Sequence, residues 1–208
     1  MRRRTATTGN AILGLLALRP SWAMYELTQQ LRRNMRWFWP RVESRIYDES
    51  KNLVRKGLAT AKTRTVGGRR RTVYEITNKG RRHVRDWLRT PPNETALECE
   101  PLLRVMLMDF GPREAVLAAL EQVEADAQTM LDIGRVVGRE YLDGTSPFQD
   151  QIHARALVFD FLTSHAQMLL GWTSRTRAAL AAYKGMTAPN RATHAQHLIG
   201  TALTRFDK

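Results

Sequence analysis

Side chains suited to hydrogen bonding with a polyanion are concentrated between residues 44 and 52. They are Ser44, Arg45, Tyr47, Lys51 and Asn52. The guanidinium fork of Arg45 matches the O6 and N7 acceptors of guanine, with a phosphate or solvent role as the alternative. Lys51, Tyr47 and Ser44 suit phosphate oxygens, and Asn52 suits adenine if it faces the bases. The pattern predicts nucleic-acid contacts.

A second basic cluster, Arg69, Arg70 and Arg71, directly follows the glycine pair Gly67–Gly68. Side chains at the tip of a hairpin do not pack in the core. We therefore expect these arginines to contact the DNA backbone or minor groove, the alternative being a solvated turn. Arg2, Arg3 and Arg4 are interpreted either as an arm that follows a groove or as a solvated tail.

Charge is distributed unevenly along the 208 residues. Residues 1–89 contain 22 basic and 6 acidic residues, whereas residues 90–208 contain 11 basic and 14 acidic ones. Only the first part is therefore expected to meet a polyanion, through phosphate neutralisation. The alternative is a basic surface that serves solubility.

The elements that must position these clusters follow from apolar spacing and from turn residues. We predict helices over residues 10–18, 21–35 and 43–56, strands over residues 58–65 and 71–76, and a helix that Thr77 caps and Pro91–Pro92 end. Three helices followed by a basic hairpin are typical of a winged helix-turn-helix, in which the third helix enters the major groove of double-stranded DNA.

The remainder is predicted to be wholly helical, with helices over residues 98–110, 112–143, 148–183 and 189–206. Two helices of this length in a small domain need another surface to bury their apolar faces. A second copy of the chain, related by a two-fold axis, is the simplest source of that surface. The fold class is therefore mainly α with a small two-stranded β-wing. We divide it into a winged-helix DNA-binding domain (residues 1–92) and an all-helical dimerisation domain (residues 93–208).

Four large apolar residues of the second domain are candidates for an effector pocket in the dimer. They are Phe159, Phe161, Met168 and Trp172. Pockets between helices are common, and methionine adapts to varied ligand shapes. The alternative is a plain interface core.

The sequence resembles the PadR family of bacterial winged-helix transcriptional regulators. The resemblance rests on residues 11–16, 25–27, 46–47, 53, 56–58, 67–71, 73–77 and 79–81, and on residues 100–104 for the branch with a larger C-terminal helical domain. It implies a homodimer that binds an operator, usually as a repressor, with relief by a small molecule or another signal. It also favours a Tyr47 hydroxyl that faces DNA, the alternative being packing with Tyr25 against the second helix. One departure is Ser50, where relatives usually carry Leu on the inner face of the recognition helix.

Other function classes find little support. The lone Cys99 allows neither an internal disulfide nor a multi-cysteine metal site, and no uncharged apolar run approaches the 18 residues of a membrane span. No phosphate-binding glycine loop, nucleophile elbow or zinc-protease motif is present. We therefore expect a cytoplasmic DNA-binding regulator without cofactor, metal or enzymatic activity. The competing hypothesis is an interaction scaffold whose basic winged helix binds an acidic protein.

Overall fold

The computed structural model describes the backbone of residues 2–40, 42–66 and 69–204, and within these ranges it leaves the side chains of residues 2–6, 34, 42–44, 66 and 69 outside the description. The chain divides into two compact units, Met1–Leu97 (unit 1) and Glu98–Lys208 (unit 2).

Unit 1 contains four helices and a small sheet. The helices are α1 (Arg2–Leu16), α2 (Met24–Met35), α3 (Val42–Arg55) and α4 (Asn78–Leu88), and the strands are β1 (Trp22–Ala23), β2 (Ala59–Val66) and β3 (Arg69–Ile76). Strand β3 lies between β1 and β2 and is antiparallel to both. The predicted wing is thus correct as a hairpin of β2 and β3, and the two-residue β1 adds a third strand that the sequence did not indicate.

The core of unit 1 is built from the apolar stripes of its helices. Ile12, Leu16, Leu27, Leu31 and Ile46 are all fully or almost fully buried. Burying side chains of this size stabilises a fold by about 1.5–3 kcal/mol each before conformational entropy is subtracted. These residues therefore fix which face of α3 is left for solvent.

The base of the wing is closed by two glycines that no other residue can replace without strain. Gly57 follows α3 with φ of 68°, and the Leu58 N–H donates to the Leu53 carbonyl, which is the usual closure of a helix C-terminus. In α4, a Cβ on Gly80 would lie 2.1 Å from the Leu58 carbonyl oxygen. The hydroxyl of Thr77 accepts a hydrogen bond from the Gly80 N–H at 3.0 Å and so caps α4, as predicted.

Unit 2 is helical throughout its described residues. It contains α5 (Glu100–Met106), a 3-10 turn (Met108–Phe110), α6 (Arg113–Leu142), a second 3-10 turn (Gln149–Gln151), α7 (Ile152–Tyr183) and α8 (Ala188–Leu203). Its buried cluster consists of Val116, Leu120 and Leu180. The end predicted for the last helix, residue 206, lies outside the described residues.

Candidate nucleic-acid interface

Helix α3 separates apolar from polar side chains along its length. Ile46, Ser50 and Leu53 point into the core, and Arg45, Tyr47 and Lys51 are exposed on the outside. A helix advances by about 100° per residue, so the direction opposite Ile46 and Leu53 is the centre of the exposed face. This face of α3 is called the recognition face below.

The positions of the predicted residues around the axis of α3 show which of them lie at the centre of the recognition face. Lys51 falls at the centre of the recognition face, whereas Arg45 and Tyr47 fall on opposite flanks of it. Asp48 and Arg55 also lie near the centre and are exposed. The sequence analysis did not single them out as site residues, although the positions of Ile46 and Leu53 were sufficient to locate them.

Asn52 lies at the edge of the recognition face in a chain of weak polar contacts. Its Nδ2 atom donates to Oε2 of the buried Glu49 at 3.4 Å, and its Oδ1 atom accepts from the Arg55 guanidinium at 3.4 Å. A Cβ on Gly9 of α1 would lie 3.2 Å from the same Glu49 oxygen, so the carboxylate lies directly against α1. The amide of Asn52 is therefore oriented by its own helix, and it must leave these partners to read a base.

Ser50 is fully buried under the recognition face, with 0% of its surface exposed. Its hydroxyl has no hydrogen-bond partner among the described residues. A buried hydroxyl without a partner destabilises a protein by about 1–3 kcal/mol. The departure from the family pattern noted at this position thus lies in the core, where an apolar side chain would make no unsatisfied group.

Tyr47 is exposed to 59%, so it does not pack into the core of unit 1. Tyr25 is exposed as well, and its hydroxyl accepts a hydrogen bond from Gln29 within its own helix. The pKa of Tyr74 in β3 is raised above its ordinary value, first by burial and second by the charge of Tyr47. The second cause means that the Tyr47 and Tyr74 side chains are within range of an electrostatic interaction.

The register of the wing separates the predicted arginine cluster. Arg71 pairs with Arg64 and Arg70 pairs with Thr65, and directly opposed residues share a face of the sheet. Because side chains alternate along a strand, Arg70 lies on the face that carries Tyr74, and Arg71 lies on the opposite face with Lys62 and Arg64. Arg70 and Arg71 are both exposed, on opposite faces of the wing.

Glu75 neutralises two cations of the wing. It accepts a hydrogen bond from Lys62 at 3.0 Å and from Arg64 at 2.6 Å. The pKa of Glu75 is lowered, first by the hydrogen bond from Lys62; desolvation opposes this shift, and the charges of Lys62 and Arg64 add to it. On this face Arg71 is left without a carboxylate partner among the described side chains.

Part of the predicted site cannot be placed. The side chains of Ser44 and Arg69, the glycine pair Gly67–Gly68 and the side chains of residues 2–4 lie outside the described residues. Their predicted roles at the interface stay predictions.

The four residues predicted to line an effector pocket have different surroundings in unit 2. A Cβ on Gly138 would lie 3.1 Å from the ring of Phe159, so this ring packs onto α6. Trp172 packs against the Val116 cluster, while Phe161 and Met168 are exposed. Two cavities in the described part of unit 2 are lined by other residues, at the end of α5, the start of α6, the end of α7 and, for one of them, in α8.

Two further features of the described residues bear on other functions. No helix there combines the length and the apolar character needed to cross a bilayer. No group of three or more histidine, cysteine, aspartate or glutamate side chains in the same residues is arranged to hold a metal ion.

Comparison with known proteins agrees with the winged-helix geometry. Residues 12–86, which run from α1 into α4, match the Transcriptional regulator PadR-like family. The Negative transcriptional regulator PadR of Bacillus subtilis (strain 168) is 33% identical over 106 residues, which cover 50% of this chain and 58% of that regulator. The matched segment thus spans little more than half the length of this curated relative.

Two solved structures of that Bacillus subtilis regulator share the fold. The structure in complex with operator DNA has a TM-score of 0.65 at 22% identity and covers 83% of this chain and 98% of its own. The structure in complex with p-coumaric acid has a TM-score of 0.61 at 20% identity and covers 83% and 94%. The family match lies on the helices and strands that form the recognition face and the wing, and the shared fold extends into unit 2. Residues 12–86 of this chain are thus similar to the PadR-like family of transcriptional regulators.

Proposed function

We propose that this chain is a sequence-specific DNA-binding repressor that acts in the cytoplasm as a homodimer on a pseudo-palindromic operator and is released by a small molecule. Residues 1–92 form the DNA-binding domain and residues 93–208 the dimerisation domain. The observation that carries the proposal is the polar recognition face of α3, flanked by a cationic wing in a unit with a complete core. The match of residues 12–86 to a family of transcriptional regulators agrees with the expectation that the chain is not an enzyme.

Unpaired cations supply the affinity for DNA. Arg45, Lys51, Arg55, Arg70 and Arg71 are exposed, and none of them forms an ion pair with a carboxylate in the described part of the chain. Each phosphate that such a cation neutralises releases counterions and adds about 0.9 to the slope of log K against log salt. Binding that involves most of these cations is therefore strongly weakened by salt.

The recognition face also carries groups that discriminate between bases. The Asp48 carboxylate is a suitable acceptor for the N4 amino group of cytosine, and Arg45 on the flank suits guanine. A carboxylate at the centre of a cationic face repels phosphates, so it reduces the affinity for arbitrary DNA. Asp48 thus favours specific over non-specific binding.

A homodimer accounts for the apolar surface of unit 2. Although α7 is 32 residues long, only three of its described residues, Ala166, Thr173 and Leu180, are buried. Phe161 on α7 and Phe110 beside α5 are exposed to 62% and 89%. A second copy of the chain covers this surface with the same apolar residues. The resulting dimer presents two recognition helices to the two half-sites of the operator.

The repressor role and the release by a ligand rest on the relatives. The Bacillus subtilis protein is called a negative transcriptional regulator, and it has been crystallised both with operator DNA and with p-coumaric acid. We propose the same mode of action for this chain: repression that a bound small molecule relieves. The identity of its own ligand is treated separately below.

The proposal is tested by fluorescence anisotropy with a labelled duplex from the region upstream of the gene for this chain. We expect binding that survives an excess of unrelated duplex and that weakens by about tenfold in Lys51→Ala, with a salt slope lower by about 1. Arg89→Ala removes the same charge at the end of α4, where Arg89 pairs with Asp86, and serves as the matched control.

Equal affinity for the upstream duplex and for unrelated DNA would contradict sequence-specific repression. An equal loss in Lys51→Ala and Arg89→Ala would show that only net charge matters. Absence of any DNA binding at low salt, together with capture of an acidic protein, would favour the interaction scaffold instead.

A further inference from the structure

We propose that a cavity within unit 2 binds a small amphipathic anion, a ligand with an apolar body and one negatively charged head group. The cavity lies between the 3-10 turn after α5, the start of α6 and the end of α7, and its volume is about 250 Å³. This inference deepens the ligand-release part of the proposed function, on which the regulatory use of the cavity rests. Ligand binding itself does not depend on DNA.

The floor of the cavity is apolar. Val116 and Leu180 belong to the buried cluster of unit 2, and Met108 and Tyr183 pack against that cluster. An adjoining cavity of about 390 Å³ shares Met108, Gly111 and Val116 with this one and continues along α5. The apolar body of a ligand can therefore pack on this floor and extend into the adjoining cavity along α5.

The rim of the cavity is cationic. Arg113, Lys184 and Arg191 line it, and Asp109 is the single acidic residue among its lining residues. None of the three cations forms an ion pair within the described residues, and the Nε atom of Arg113 is buried without a hydrogen-bond partner there. A buried guanidinium N–H without an acceptor is unfavourable. An anionic head group bound at this point supplies the hydrogen-bond acceptor that the Arg113 Nε–H lacks.

The three cations of the rim lie in a unit that is slightly acidic. Residues 98–208 contain 11 basic residues and 13 acidic ones. In this unit Arg104 pairs with Glu100, Arg135 with Asp132, and Arg177 with Glu121 and Glu124. At the rim, Arg191 donates a hydrogen bond from its Nε atom to the Met186 carbonyl, but none of the three rim cations meets a carboxylate within the described residues.

The volume limits the ligand to a small molecule. Pockets for drug-sized ligands usually measure about 300–1,000 Å³. A cavity of about 250 Å³ suits an apolar body of roughly eight carbon atoms with its head group at the rim. Octanoate is a suitable probe, with 1-octanol as the uncharged analogue and sulfate as the anion without an apolar body.

The test is isothermal titration of the full-length chain with these three compounds. We expect octanoate to bind at least about tenfold more tightly than 1-octanol and more tightly than sulfate, because only octanoate satisfies both the floor and the rim. In Arg113→Gln the affinity for octanoate should fall by about fivefold to tenfold, while that for 1-octanol should not change. Arg135→Gln, which removes a paired cation of α6, is the matched control and should bind octanoate as the unmodified chain does.

Three results would overturn the proposal. They are no binding of octanoate up to about 10 mM, equal binding of octanoate and 1-octanol, and equal losses in Arg113→Gln and Arg135→Gln. If Arg113→Gln fails to give the circular dichroism spectrum of a folded chain, Lys184→Gln takes its place, since Lys184 is exposed beyond the end of α7. All titrations omit DNA, so a failure to bind the operator leaves their outcome unaffected, and octanoate binding without effect on DNA affinity rejects only the regulatory use.

Discussion

The two units use their surfaces in opposite ways. Among the large apolar side chains that are exposed in the described part of the chain, 16 lie in unit 2 and five in unit 1. Conversely, 14 buried core residues lie in the described part of unit 1 and eight in that of unit 2. Unit 1 closes its own core and presents charge, whereas unit 2 leaves apolar helix faces uncovered. This difference agrees with the proposal that unit 1 binds a polyanion and that unit 2 packs against a second apolar surface.

The largest effect is expected from a charge placed on the apolar surface of α7. Phe161→Glu puts a carboxylate on a side chain that is exposed to 62% and that stacks on His165. Burying this charge in a dimer interface is unfavourable, so we expect a monomer by light scattering at micromolar concentration. Since two linked recognition helices bind far more tightly than one, affinity for a two-half-site duplex should fall by about 100-fold.

The control for this prediction is Gln167→Glu, an added charge at an exposed position on another side of the same helix. It should remain dimeric and bind DNA normally. A Phe161→Glu variant that stays dimeric with unchanged affinity would show that the apolar face of α7 is not covered by a second copy.

A smaller effect separates the two faces of the wing in unit 1. Arg70 shares a face of the wing with Tyr74, whose pKa is raised first by burial and second by the charge of Tyr47 of α3, so we expect this face to be the one nearer the recognition helix. We expect Arg70→Ala to weaken DNA binding by about fivefold to tenfold and Arg71→Ala by less than about threefold. Fluorescence anisotropy at fixed salt measures both.

The two variants serve as controls for each other, because they remove the same group from neighbouring positions of one exposed strand. Equal losses would mean that the hairpin enters a groove with both faces in contact. A larger loss in Arg71→Ala would assign the opposite face, with Lys62 and Arg64, to DNA.

Much of the fold could be predicted from local patterns. Helices α3, α6 and α7 were expected within a few residues of their observed ends, because their apolar spacing and flanking Gly and Pro residues are clear. Strand β1 was missed because two residues, Trp22 and Ala23, carry no periodicity. Helix α2 was expected from residue 21, but it begins at Met24: Ala23 occupies the N-cap and the Glu26 carboxylate accepts the Ala23 N–H. Helix α1 starts at Arg2 rather than near residue 10, where the apolar stripe begins.

The candidate site was predictable in its composition but not in its geometry. The recognition face follows from the phase of one helix. The separation of Arg70 from Arg71 requires the strand register, and the neutralisation of Lys62 and Arg64 by Glu75 requires contacts across that register. Likewise, Phe159 and Phe161 were expected to line one pocket, but residues two apart on a helix point about 200° apart. Phe159 packs against Gly134 and Gly138 of α6, a contact that only the structure reveals.

Buried hydroxyl groups give a third comparison between the units. Ser50 in unit 1 has no hydrogen-bond partner in the described residues, whereas Thr173 in unit 2 donates to the Leu170 carbonyl at 2.9 Å. We expect Ser50→Ala to stabilise unit 1 by about 1–2 kcal/mol, because it removes an unsatisfied group and raises helix propensity. Thermal unfolding followed by tryptophan fluorescence reports mainly on unit 1, which contains Trp22, Trp37, Trp39 and Trp87.

Thr173→Val is the contrasting variant, since it removes a hydroxyl of similar burial that is already satisfied. It should leave the stability of unit 2 unchanged or lower it, by circular dichroism. A loss of stability in Ser50→Ala would contradict the prediction and would indicate a buried water that binds the Ser50 hydroxyl.

The smallest effect concerns the charge balance of the wing. Glu75→Gln releases Lys62 and Arg64, which lie on the face of Arg71. We expect DNA affinity to rise by about twofold to fivefold at low salt, with a salt slope steeper by up to about 1. Asp86→Asn, the same change at the exposed partner of Arg89, is the control and should leave both values unchanged.

The same residue gives the wing a dependence on pH whose sign follows from its lowered pKa. Glu75 is ionised in the folded wing at lower pH than in the unfolded chain, so its ion pairs stabilise the wing fully above the ordinary glutamate pKa of about 4.3. That stabilisation is lost as the pH falls through the lowered pKa, where the carboxylate becomes protonated. The melting temperature of the unmodified chain should therefore exceed that of Glu75→Gln at pH 6, and the difference should vanish towards pH 3. A difference that stays constant over this range would show that Lys62 and Arg64 do not depend on the Glu75 charge, and that the wing keeps its shape by backbone pairing alone.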